Sequence, residues 1–335
     1  MNRGGNTGVG RGVDGGVSRN GASPRLVDVT LRDGGKINGH CWTPAQAAEV
    51  VDACTAAGIR NTEVGYFRPA RQKTDGETRP AASCPPRYLE ALAQRAAGAR
   101  LMVMTSRKDA EPGDLAALAR HGVAMVNMPV RAGDVTALRP YAEAVRAAGM
   151  GLAVKLMRLG GLPEEAVLRA SEQATACGAE VFYVADSYGG MFPEDVTRLA
   201  GRLREASGIP LGLHAHDGLS MAFANAIAAL RGGFTYVDAS LSGMGADGGN
   251  LNLELMAAYL RRHAGEDVRV APLARAAAGM LTPWLGDGVL EKAAHIVIGM
   301  LDLDPKDPAS AGNRDWARIC AMLDAEPVGE EPVRE

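Results

Sequence analysis

From residue 25 to about 265 the chain alternates between two hydrophobic patterns. Short apolar or β-branched runs end in polar residues and are followed by Ala/Leu/Glu/Arg-rich stretches with apolar positions three and four apart. The runs are RLVDVTLRD (25–33), NTEVGYF (61–67), RLMVMTS (100–106) and AMVNMPV (124–130). Four more follow: GLAVKLM (151–157), EVFYVAD (180–186), IPLGLHAHD (209–217) and FTYVDASLS (234–242). Helices are expected to begin at Thr43-Pro44, Pro85-Pro86, Asp114, Asp134, Pro163-Glu164, Pro193-Glu194, Leu219 and near Asn252. Many of them close on glycine, as at Gly58, Gly98, Gly122, Gly149, Gly178 and Gly208. Eight such units in about 240 residues predict an α/β chain folded as a (β/α)8 TIM barrel. A doubly wound open sheet would use fewer units. It would also carry a glycine-rich phosphate turn after its first strand, where this chain has LRDGGKINGH.

The flanks differ from the repeat. Residues 1–24 are rich in glycine with little to bury and are expected to form a disordered tail. Residues 25–265 form the predicted catalytic barrel. Residues 266–335 are expected to add a C-terminal helical extension. Its segments APLARAAAGMLTPWL and GVLEKAAHIVIGML have helical period and precede a polar, proline-containing tail.

Composition narrows the function. With 47% hydrophobic and 22% charged residues and a formal net charge of −3, the chain has the makings of a globular enzyme. It lacks the basic footprint of a nucleic-acid binder or a polybasic membrane patch. No apolar run is long enough to span a bilayer. Five scattered cysteines without a C-x-x-C pair point to a reduced, cytoplasmic setting. The expected partner is a small molecule, and the chain is expected to form a homo-oligomer.

Catalytic groups of a TIM barrel lie at the carboxyl ends of its strands. Those ends carry Arg32, Asp33, Glu63, Arg107, Arg131, Lys155, Arg158, Asp186, Ser187, His214, His216, Asp217, Ser240 and Asn250. His214 and His216 stand at i and i+2, so on a strand they share a face. Two imidazoles and one carboxylate suit a divalent ion that keeps positions open for substrate. Asp33 is the expected carboxylate, because strands one and seven flank strand eight in the barrel. Mn²⁺ or Mg²⁺ is expected ahead of Zn²⁺. The alternative is that both histidines are hydrogen-bonding loop residues.

TLRDGG (30–35), HAHDGLSMAFANAIAAL (214–230) and VDASLSGMGADGGN (237–250) together resemble the DRE-TIM metallolyase superfamily, most closely its 4-hydroxy-2-oxovalerate aldolase-like branch. The resemblance spans the barrel. It implies metal ligation by Asp33, His214 and His216, with Asn250 near the metal or its waters. It also implies that Arg32 faces the substrate oxygen that becomes an enolate. The implied activity is cleavage or formation of a 4-hydroxy-2-oxo acid from pyruvate and an aldehyde, with a possible partner enzyme that makes or uses the aldehyde. The alternative within the superfamily is a Claisen-type acyltransferase of the isopropylmalate or homocitrate synthase type, using acetyl-CoA and a 2-oxo acid. That class usually has a longer C-terminal region and Gln or Glu where this chain has Gly35.

The chain departs from the aldolases where they carry an acid/base histidine three residues after the metal aspartate. Here that residue is Lys36, which becomes the candidate acid/base, with His40, Tyr66 or water as alternatives. Glu63 is expected to pair with Arg32 and orient it. Lys155 raises the separate possibility of a Schiff-base amine, although no acid partner is evident beside it. Ser187 and Asp186 are expected to orient ligands or waters, and Asp217 to cap the next helix. GMGADG (243–248) lacks a surrounding dinucleotide-binding unit, so Gly245 is expected to bring backbone N–H groups toward an anionic substrate group. The polar stretch 68–84 is a candidate cover for the site.

Overall fold

The computed structural model describes residues 23–69, 78–95, 98–246, 248–301 and 321. Eight parallel strands close into a barrel in chain order. They are β1 (Arg25–Asp28), β2 (Asn61–Tyr66), β3 (Arg100–Met104), β4 (Val123–Val130), β5 (Gly151–Leu156), β6 (Val181–Asp186), β7 (Leu211–Ala215) and β8 (Tyr236–Ala239). The helices are α1 (Pro44–Ala56), α2 (Pro86–Arg95), α3 (Pro112–Leu115), α4 (Arg139–Ala147), α5 (Glu164–Cys177), α6 (Pro193–Ala206), α7 (Ala222–Arg231), α8 (Leu253–Ala264), α9 (Ala271–Leu285) and α10 (Gly288–Leu301). No helix among the described residues is long and apolar enough to cross a membrane.

The sequence explains most of these boundaries. Thr43 and Gln46 form a reciprocal capping box with Pro44 at the first helical position, so α1 starts there. The Asn252 side chain accepts from Leu255 N at 2.7 Å and starts α8. Three expected helices differ, and the one expected from Leu219 begins only at Ala222. The one expected from Asp114 is a single turn, α3, followed by a 3₁₀ turn at Leu118–His121 that ends on Gly122 at φ +85°. The one expected from Asp134 begins as a 3₁₀ helix, Ala132–Leu138, and becomes α-helical only at Arg139. Pro140 supplies the reason, because its missing N–H and its ring prevent an α-helix from running through it.

Alternation along the strands divides the core. On β7, Leu211, Leu213 and Ala215 face the helices and join the main apolar cluster. Val27, Val29, Met102, Met125, Ala153, Val181, Tyr183 and Tyr236 form a second cluster that fills the barrel. The two predicted C-terminal helices occur with the predicted ends, as α9 and α10. Helix α9 packs on α1, with Trp42 and Trp284 meeting edge to face at 5.1 Å. Its buried Leu273, Met280 and Leu281 continue the barrel's outer core. The expected N-terminal tail, apart from residues 23 and 24, lies outside the described residues. So does the polar tail beyond 301, apart from residue 321.

One strand residue carries an electrostatic cost. Asp28 is wholly buried; its Oδ1 accepts from Thr30 N and Oγ1, and its Oδ2 has no partner. Burial pushes its pKa up to about 7, opposed by the Thr30 bonds and reinforced by Glu254 and Glu63. A carboxyl that holds its proton longer in the folded state stabilises fully below the unfolded pKa, and that contribution is lost as pH rises through about 7. Asp28→Asn is therefore expected to match the parent in stability near pH 4 and to exceed it by up to about 4 kcal/mol above pH 7. Urea unfolding of both proteins across that range checks this, and a difference that does not change with pH would refute it.

Candidate active site

The first site residues lie beyond β1. The strand ends at Asp28, so Arg32 and Asp33 sit on the turn that follows it, five residues or less from the strand end. The turn folds tightly because of its double glycine. A Cβ on Gly34 would lie 3.1 Å from Met244 O, and one on Gly35 would lie 2.6 Å from the His40 ring. Trp42 donates to Leu31 O at 3.2 Å and ties the far end of the loop to the barrel.

Arg32 is buried and held by two carboxylates. It donates from Nε to Glu63 Oε2 at 2.6 Å and from Nη1 to Asp33 Oδ1 at 2.5 Å. Glu63, on β2, thus orients Arg32 as expected. Nη2 of Arg32 has no hydrogen-bond partner among the described residues. Lys36 Nζ also contacts Asp33 Oδ1, at 2.6 Å, with its side chain 38% exposed. Burial opposes ionisation of Asp33, but Arg32, His214 and Lys36 outweigh it and hold the carboxyl well below the usual carboxylate range. Asp33 Oδ2 is buried and has no hydrogen-bond partner among the described residues.

His214, on β7, and His216, just beyond it, come from the neighbouring part of the ring. Both imidazoles are buried and meet edge to face at 5.1 Å. His214 Nδ1 lies 3.0 Å from Asp238 Oδ2. His216 Nδ1 lies 3.2 Å from the carbonyl oxygens of both Ala246 and Gly249. With each Nδ1 occupied, each Nε2 is the nitrogen left to act as a ligand. Burial and then Lys155 push the His214 pKa down to about 4 against the pull of Asp238, so the ring is neutral at pH 7.

One ligand atom from each of Asp33, His214 and His216 lies within 4.8 Å of the other two. Three buried donors, one of them an orphaned carboxylate oxygen, fit a divalent cation with positions left open. Asn250 borders this face. Its backbone pairs with His216, its Nδ2 donates to Met244 O at 2.9 Å, and its Oδ1 has no partner among the described residues.

The other expected residues make the following contacts. Gly245 makes room for Asn250, since a Cβ there would lie 2.5 Å from Asn250 Nδ2. Ser187 Oγ accepts from Arg158 N at 2.9 Å, which fixes the end of β5. Asp186 accepts from the backbone N–H groups of Gly190 and Met191 and so shapes the loop before α6. Asp217 accepts from Ala222 N at 2.9 Å, the first residue of α7, but the N-cap of that helix is Met221, so Asp217 meets the helix start from the preceding loop and is not the cap expected of it. Lys155 points into the barrel and pairs with Asp238, so it is not poised as an amine nucleophile. Of the stretch 68–84, residues 70–77 lie outside the described residues.

His40 is drawn into the site more closely than its place in the sequence suggests. Its Nε2 bonds Arg32 O at 2.9 Å, so that nitrogen carries the proton and Nδ1 keeps its lone pair. The ring stacks edge-on against Tyr66 at 5.3 Å, and the backbone adopts φ +61°, a strained conformation for a residue with a side chain. Burial lowers the imidazole pKa below its ordinary value. The Arg32 carbonyl opposes this, and the cations Arg68, Arg32 and Lys36 add to it. Asp238 was not among the expected site residues. Its signal was an acid in the middle of the β8 run VDASLS, at a register level with His214.

Known proteins share this frame. The model of the HMGL-like family matches residues 23–276. A 4-hydroxy-2-oxovalerate aldolase of Nocardia farcinica is 30% identical over 279 residues, covering 82% of this chain and 79% of its own. One from Pelotomaculum thermopropionicum is 31% identical over 246 residues, covering 73% and 72%. The HMG-CoA lyase of Brucella melitensis has the same fold at 17% identity, with a TM-score of 0.67 over 78% of this chain and 99% of its own.

Metal analysis tests the site directly. After incubation with Mn²⁺ and gel filtration, the parent protein is expected to retain about one ion per chain, a stoichiometry set by one three-ligand site. A folded His214→Ala, His216→Ala variant is expected to retain none. Full occupancy in that variant would refute the site.

Proposed function

The chain belongs to the HMGL-like family, and from that premise we propose that it is a divalent-metal-dependent aldolase acting on a 4-hydroxy-2-oxo acid, releasing or consuming pyruvate. The observation that carries the proposal is a pair of unsatisfied buried groups: Nη2 of Arg32 and Oδ2 of Asp33, on adjacent residues at the barrel mouth. One is a free donor and the other a free ligand, which is what a 2-oxo acid bound through a cation requires.

A cation held by Asp33, His214 and His216 would act as a Lewis acid toward a chelating 2-oxo acid. The protein's own residues do the rest. Loss of the proton from the 4-hydroxyl lets the bond between C3 and C4 break. An aldehyde leaves, and the electron pair is held as the enolate of pyruvate, which then takes a proton at C3. Negative charge grows on the former 2-oxo oxygen, and a fixed donor there stabilises the transition state more than the ground state. Arg32 supplies that donor through Nη2, and Glu63 keeps the guanidinium from turning away. Because Glu63 and Asp33 neutralise Arg32, its charge does not drive a cation from the neighbouring ligands.

The 4-hydroxyl proton is assigned to His40. It is neutral at pH 7, its tautomer is fixed by Arg32 O, and its free Nδ1 can accept. Lys36 stands where the resembled aldolases carry their histidine, but its ammonium is held on Asp33, and its role is to fix that ligand. The acyltransferase alternative draws no comparable support, since the two relatives described above are named aldolases.

Three variants test the assignment with Mn²⁺ and a panel of 4-hydroxy-2-oxo acids. Arg32→Lys keeps the charge but loses the fork, and is expected to stay folded while kcat falls about 10²–10³-fold. A near-native kcat would make Arg32 purely structural. His40→Gln is expected to lower kcat at least about 10²-fold, the range for losing a general base. Lys36→Met is expected to weaken metal binding more than it slows the loaded enzyme. If Lys36→Met abolishes cleavage at saturating metal while His40→Gln does not, the two roles are reversed. Turnover of acetyl-CoA with a 2-oxo acid, without aldol cleavage, would overturn the aldolase reading.

A further inference from the structure

A buried polar chain crosses the barrel beneath the metal-binding face. Lys155 on β5 reaches Asp238 on β8, with Nζ 2.5 Å from Oδ2. The same oxygen lies 3.0 Å from His214 Nδ1. The Lys155 and Asp238 side chains are 0% and 1% exposed, and that of His214 is 2% exposed. Lys155 Nζ also lies 4.9 Å from the centre of the Tyr183 ring. That ring occupies space left by Gly212, where a Cβ would come within 2.5 Å of it. Gly212 stands two residues before His214 on the inward face of β7.

Stability alone does not account for this lysine. A buried ion pair commonly contributes less than an apolar pair of the same volume, so its retention calls for another role. The geometry supplies one. Among the described residues Asp238 Oδ1 has no hydrogen-bond partner, and the carboxylate is held through Oδ2 by Lys155 and His214, with the Tyr183 side chain also interacting with it. The last torsion of an aspartate is broad, and without the ammonium the carboxylate would be free to turn. With it, charge-assisted bonding and the tyrosine face below hold Oδ2 at one point.

We propose that Lys155 is a positioning residue for the bound cation: reaching across the barrel, it pins Asp238 Oδ2 so that His214 keeps its proton on Nδ1 and presents Nε2 to the metal. This rests on the metal site proposed above. The residue that resembled a Schiff-base lysine thereby acts on the metal through two intermediaries. The step involves no covalent chemistry.

The test measures Mn²⁺ affinity by electron paramagnetic resonance of the free ion at a fixed pH of about 8, where imidazoles are neutral. It compares the parent, Lys155→Met, and the double variant Lys155→Met, Asp238→Asn, which keeps the core neutral if the single change fails to fold. Circular dichroism identifies the folded proteins. Binding is expected to weaken about 10–100-fold in each folded variant, the usual effect of losing a partner behind a metal ligand. In the metal-free parent, the ¹⁵N spectrum of the histidines is expected to show His214 protonated at Nδ1, and the variants are expected to mix in the Nε2-protonated form. Parental Mn²⁺ affinity in either folded variant would overturn the proposal while leaving the metal site standing. A parent that binds no Mn²⁺ would overturn both.

Discussion

The site depends on the position of β8 between β1 and β7, hydrogen-bonded to both. This closure brings the first strand of the barrel beside the last two. It carries Asp33, on the turn after β1, to within ligand distance of histidines almost two hundred residues further along the chain. Closure also sets the level of the site. His214 pairs in register with Asp238, so the acid that holds its ring lies at the same height inside the barrel. Parallel strands present their carboxyl ends together, and Asp33, His214 and His216 therefore meet at one mouth.

That mouth is crowded with charge that has been taken out of water. Arg32, Asp33 and Glu63 form one buried group, and Lys155, Asp238 and His214 form another. Each is tolerable because every ion has an opposite partner, and removing one partner of such a pair typically costs about 3–5 kcal/mol. Within these groups Arg32 Nη2, Asp33 Oδ2, Glu63 Oε1 and Asp238 Oδ1 have no hydrogen-bond partner among the described residues, and neither has Asn250 Oδ1 beside them. Unsatisfied buried polar atoms are expensive, and those of Arg32 and Asp33 lie where a substrate and a cation could satisfy them.

The loop between Arg32 and Trp42 shows how packing selects residues near a site. Gly35 leaves room for the His40 ring, Trp42 ties the loop to Leu31, and Trp284 on α9 packs against Trp42. The C-terminal helices thus support the loop that carries Arg32, Asp33 and His40, and the barrel and its extension share one apolar core. Strain at His40 is held by these contacts rather than by its own backbone preference.

The sequence by itself determined the periodic architecture, and with it the eight strands, the ends of α9 and α10, and the pairing of Asp33 with His214 and His216. These follow from local periodicity and from a fold that fixes which strand ends are neighbours. It also anticipated the ion pair of Glu63 with Arg32. Only the tertiary structure decided what Lys155, His40 and Asp238 contact. Lys155 and Asp238 are 83 residues apart and meet across the barrel interior. His40 enters the site because its loop doubles back over Gly35. Strand periodicity states which way a side chain points, but not which side chain from another strand it will meet. That depends on register and on the space left by residues such as Gly212, and both are fixed only when the barrel closes.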